Sequence, residues 1–199
     1  VNDMTSAGVG VAIAGTGSGA IAGTITVYDI TTKAYVNQGA QINADAGNDA
    51  NASANQNVAV LAGRSYNDLS IGAGLAGSGD FSAAPGFAAP ILKGSTVAFI
   101  QGATSGGVYT TTVHAKGSVA VEARALETVL SIGAGIALSG EVGIGGSAAV
   151  VVIDTTTTAS ISGLVRVSAG GNVVVSADDD STTYAIGGAV GVGLGGGGG

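Results

Sequence analysis

Few residues in this chain are equipped for chemistry, so their spacing can be tested one group at a time. His114 is the only histidine and there is no cysteine. A catalytic triad needs a base held by a carboxylate and within reach of a nucleophile. His114 instead sits in the alternating string TTVHA with no nucleophile motif nearby, which reads as an outward strand residue. Asp178, Asp179 and Asp180 offer hard oxygen ligands, making calcium the one cofactor candidate. The chain carries no GGxGxDxUx nonapeptide and no EF-hand loop, so a solvated turn is the plainer reading. Asp29 and Asp154 occupy equivalent places ahead of threonines, with Lys93 at the matching third place, and suggest an Asx-type turn. The run Thr155, Thr156, Thr157, Thr158 invites an ice-binding face, but the column through Thr158 holds Lys33 and Val97, which breaks the array. The GxGxxG-like spelling at 8–15 lacks the helix and the ribose-binding acid of a dinucleotide site. No catalytic or cofactor-binding set emerges, and the sequence reads as a non-enzyme.

Composition points the same way. The 199 residues include 37 Gly, 10% charged and 4% aromatic residues, and no Trp. An ordinary domain has about 7% Gly and roughly 25% charged residues. Two prolines and no Gly every third residue exclude collagen, and alternating Val, Ile and Ala argue against disorder. A net charge of −7 with only six basic residues excludes a nucleic-acid footprint and gives no basic face for acidic polysaccharide. Mean hydropathy is +0.50. No stretch resembles a spanning helix, and a transmembrane barrel would show aromatic girdles. The opening Val-Asn-Asp-Met carries no signal peptide, as in a mature product or an excised piece.

The positional signal is an internal repeat. Anchors beginning at Ala7, Ile71, Ile132 and Ile186 are spaced by 64, 61 and 54 residues, and Val11, Leu75, Ile136 and Val190 form an aliphatic column. At the same offsets Thr32, Thr96 and Thr157 align, as do Ala34, Ala98 and Ala159, and Val36, Ile100 and Ile161. The agreeing residues lie two apart, the mark of a strand with one constrained face, which we assign inward. A third anchor repeats as NVAVLA at 57–62, SVAVEA at 118–123 and NVVVSA at 172–177, with Val121 inward and Ala120 outward. Shorter strands are expected at 165–169, 111–115 and 41–44. Units therefore run 7–70, 71–131, 132–185 and a partial 186–199 within a single segment of a longer array.

These features predict an all-β, parallel β-solenoid (β-helix) whose units bury their inner faces against one another. At around 20 residues per turn, a unit would make about three turns. Residues 122–131 have helical propensity, but their alignment with 176–185 favours strand and turn. Residues 45–56, 101–108 and the proline-bearing 78–90 read as loops leaving the scaffold. The apolar run 148–153 lacks alternation and suggests burial on both faces. Val151 and Ile153, with Leu61 and Val174, are the outward aliphatics expected to meet another chain.

The string GSAAVVVIDTTTTASISG, continuing with VRVSAGGNVVVSADDDSTTYAIGGAVGVG, resembles the repeats of large Gram-negative surface proteins, the leukotoxin-type and haemagglutinin-like filamentous adhesins. The resemblance implies an extracellular β-helical stalk on the cell surface of a Gram-negative bacterium. It further implies a role in adhesion, cell–cell contact or surface coating. The unbroken apolar run and the high hydropathy favour self-association into a fibre or sheath; the alternatives are a module whose loops 45–56, 78–90 and 101–108 recognise a host or cell-surface glycan or protein, and a polysaccharide-active β-helix enzyme. Segment 78–90 departs from that pattern.

Overall fold

A computed structural model of the chain describes residues 2–43 and 53–198, with side chains through 195. The described residues are all-β, with thirteen strands and no helix. In chain order these are β1 (Asn2–Ala14), β2 (Gly17–Gly19), β3 (Ala22–Val36), β4 (Gln41–Ile42), β5 (Val58–Ser78), β6 (Phe81–Gln101) and β7 (Thr111–Ala115). They continue with β8 (Val119–Ser139), β9 (Val142–Ala149), β10 (Val152–Ser162), β11 (Val165–Ala169), β12 (Val173–Gly193) and β13 (Gly196–Gly198). Sheet I has the order β1-β5-β8-β12, and sheet III the order β11-β7-β4. Sheet II is centred on β6, with β2 and β3 on one side and β9 and β10 on the other, and β13 extends it beyond β9. Every pairing is parallel.

The chain visits sheets I, II and III in that order and then returns to I. Its register is the repeat itself: Ala7 pairs Ile71, Ile71 pairs Ile132, and Ile132 pairs Ile186. One repeat is thus one circuit of the three sheets, not about three turns. The reason is strand length. β5, β6, β8 and β12 each run 21 residues, far beyond the usual five or six. Residues 122–131 lie inside β8 without a turn, their helical propensity overridden by strand neighbours on both sides.

Segment 78–90 is likewise not a loop. Only Gly79 and Asp80 separate β5 from β6, and both prolines lie within β6. Each loses a donor opposite a place where the neighbouring strand is interrupted. Pro85 faces the gap between β2 and β3, and Pro90 the gap between β9 and β10. Backbone bonds Ala20 N to Ala83 O (2.9 Å) and Val150 N to Ala88 O (2.9 Å) hold those gaps closed. A proline inside a sheet is tolerated where no ladder bond is required of it.

Two regions differ in what lies between the sheets. In the body all three sheets surround a side-chain core of Val60, Ala62, Ala98, Ile100, Val113, Ala115, Val119, Val121 and Ala123. Full burial of each valine there contributes roughly 1.5–3 kcal/mol. Beyond it no described residue of sheet III takes part, and the later halves of the sheet I strands meet the early halves of sheet II directly, forming a lip. Its buried apolar cluster is only Ala20, Ala76, Ala84 and Ala137. A Cβ added to Gly72 would collide with the Phe87 carbonyl, and one on Gly135 with the carbonyls of Gly146 and Ala84. The lip is two backbones in contact, and glycine is what permits that approach.

Candidate functional site

Among the described residues, the polar groups singled out in the sequence lie apart. His114 lies on β7 between buried Val113 and Ala115 and points outward, while its carbonyl accepts a bond from Asn43 Nδ2 at 3.0 Å. The three consecutive aspartates do not converge. Asp178 faces out and pairs with Arg124 Nε at 3.3 Å. Asp179 faces in and accepts from Thr157 Oγ1 at 2.7 Å. Strand alternation sends neighbours to opposite faces, so the run is neither a turn nor a calcium cradle. Among the described residues no group of three His, Cys, Asp or Glu could hold a metal. Asp29, Lys93 and Asp154 also lie within strands rather than turns, stacked as one outward column of alternating charge in register.

The facing assignment divides. Val121 is buried and Ala120 is not, and Leu61 (58%) and Val174 (41%) are exposed outward. Val151 and Ile153 are reversed: they turn inward and pack on buried Tyr66, Leu92 and Val129. Val150 (51%) and Val152 (44%) are the outward pair. An unbroken apolar run carries no polar residue to fix its parity. That parity comes from the register with β6, where Ile153 pairs Leu92 and Thr157 pairs Thr96.

Sequence reasoning missed a charged cluster between body and lip. Arg64, Tyr66, Asp68 and Ser70 continue the inward parity of Val60 and Ala62 and are buried, as is Glu127. Arg64 Nη2 donates to Glu127 Oε1, and Ser181 Oγ donates to Oε2 at 2.9 Å. Gly94 makes the space: a Cβ there would strike the guanidinium, whereas the register places Ile30 and Thr155 at the same level in adjacent circuits. Burial pushes the Glu127 carboxyl up, against the downward pull of Ser181 and Arg64. Burial, then the Asp68 carboxylate, drives the Tyr66 phenol far above its ordinary value. Extending the alternation of 57–62 and 118–123 by a few residues would have revealed the cluster. The pair is sealed at the packing interface (1% and 0% side-chain exposure), which suits a structural role.

Loop 101–108 leaves sheet II at the end of β6. Gly106 and Gly107 take positive φ, and Val108 and Tyr109 project into solvent. Loop 45–56 lies largely outside the described residues.

No helix among the described residues is long and apolar enough to cross a membrane. Comparison with protein families, with curated proteins and with solved structures returns no match.

Proposed function

We propose that the chain is a segment of a non-enzymatic extracellular β-solenoid that self-associates into a fibre, sheath or adhesin stalk at a Gram-negative cell surface. The observation that carries this reading is the identity of repeat and register: offsets of 64, 61 and 54 residues are also the strand-pairing offsets in sheet I. Such a circuit stacks by backbone hydrogen bonds and columns of like residues, which is how solenoids gain length. The outer strands of a parallel sheet also template further pairing. The scarcity of reactive groups fits a structural role. Negative-stain microscopy across a concentration series tests it. Filaments or sheets support the reading, and monodisperse particles at every concentration oppose it.

A second reading, a binding module for a glycan or protein, is favoured by one observation: the exposed Tyr109 beside loop 101–108. Tyrosine offers an apolar face and a hydroxyl, as carbohydrate and protein partners require. Binding on a glycan array that Tyr109→Ala abolishes would establish it. Segment 78–90 contributes no loop to that reading.

A further inference from the structure

We propose that the outer face of sheet I in the lip is the surface by which one copy packs against a second copy; this rests on the self-associating reading above. The lip is turned inside out relative to the body, with glycines and alanines within and the large aliphatics outside. Residues 5–14, 70–78, 131–139 and 185–193 form this part of sheet I and contain no charged residue. The sheet II segments 22–27, 81–91 and 142–150 on the opposite side contain none either. Charge borders this surface at the rim, where Asp80 and Glu141 occupy the turns between the sheets, and toward the body, where Asp29, Lys93 and Asp154 follow the sheet II segments.

The face is corrugated. Ile71 and Ile132 stack into one ridge and Leu75 and Ile136 into another, with Ala73 and Ala134 forming the groove between them. Leu75 and Ile136 are 40% and 42% exposed, an unusual state for an aliphatic column. A groove one residue column wide accepts a ridge of the same kind, so the surface is complementary to itself. With strands spaced at about 4.8 Å and a rise of about 3.3 Å, four strands by eight residues span roughly 500 Å² per copy. Face-to-face packing would bury roughly 1,000 Å² in total, the lower bound of a specific interface, as suits a concentration-dependent contact repeated along an array. Asp80 and Glu141, in the turns at the rim, disfavour end-on insertion of the lip into a bilayer.

Sedimentation velocity over a concentration series, with flotation on phosphatidylcholine vesicles, tests this. Leu75→Asp and Ile136→Asp should each raise the concentration needed for association at least tenfold, while Leu61→Asp on the body leaves it unchanged. Association that survives both lip variants and is lost in Leu61→Asp overturns this face and leaves the self-associating reading standing. A wild type that stays monomeric and does not float overturns both. Monomers that float, and cease to float in Leu75→Asp, overturn the second copy in favour of lipid. If the aspartates unfold the chain, Ile136→Cys supplies its only thiol. A covalent dimer on mild oxidation, absent with Leu61→Cys, supports the face, and equal yields from both variants overturn it.

Discussion

The body and the lip are built from the same strands yet held by different physics. In the body, three sheets enclose valines, alanines and an isoleucine, and the sheets are kept apart by side chains that drive folding through burial. In the lip, two sheets touch through backbone, and the large aliphatics face outward. One strand, β5, supplies an inward Val60 at one end and an inward Gly72 at the other. The local side chain therefore sets the separation of the sheets. Where side chains vanish, the apolar surface that would have been core becomes exterior.

Single substitutions separate the two regions. Val121→Asp places an unpaired charge in the body and should cost about 4–5 kcal/mol in chemical denaturation, whereas Ala120→Asp, on the outer face, should stay within about 1 kcal/mol. Arg64→Met strands the buried Glu127 carboxylate and should cost about 3–5 kcal/mol. The double variant with Glu127→Leu should recover most of that loss, and a Tm no higher than the single variant's would show that the pair does more than satisfy itself. Gly72→Ala drives a methyl into the Phe87 carbonyl and should cost about 1–3 kcal/mol or more. Gly63→Ala, on the same strand but with open space around it, should be neutral or stabilise by up to about 1 kcal/mol. Equal effects from the two glycines would erase the distinction between the regions.

The smallest effect concerns pH. The Tyr66 phenol is raised from an ordinary value of 10.0 by burial and by Asp68. Its contribution is complete below that value. Above it the unfolded chain loses a proton that the folded chain retains, so stability falls by about 1.4 kcal/mol per pH unit. Tyr66→Phe should flatten that alkaline slope when midpoints are compared across about one pH unit either side of the ordinary phenol value.

Much of this was legible from spacing alone. The offsets of Thr32, Thr96 and Thr157 and of the Val121 anchor are the register of sheets II and I, and period two located the inner face of both. The short strand at 165–169 matches β11 in its bounds. Illegible were features that depend on which sheet lies opposite. Pro85 and Pro90 signalled a loop because strand gaps across the ladder cannot be seen in one segment. Val151 and Ile153 were misfaced because six consecutive small or apolar residues hide parity, although Thr157, two steps along, already determined it. Asp29 and Asp154 looked like turn formers because an aspartate ahead of threonines favours a local Asx hydrogen bond, a preference that pairing with the Lys93 strand overrides.

One repeat makes one circuit, which puts residues 61 apart side by side between β5 and β8. Because the chain has no cysteine, Leu61→Cys combined with Glu122→Cys tests this directly. Adjacent parallel strands bring their Cα atoms to about 4.8 Å, within the range a disulfide spans. Non-reducing mass spectrometry of the oxidised monomer should show an intramolecular bond in nearly all molecules, and little with Leu61→Cys and Arg124→Cys, one step further along the same face. A Leu61/Glu122 pair that stays reduced, or that links only between chains, would mean that β5 and β8 are not neighbours in this register.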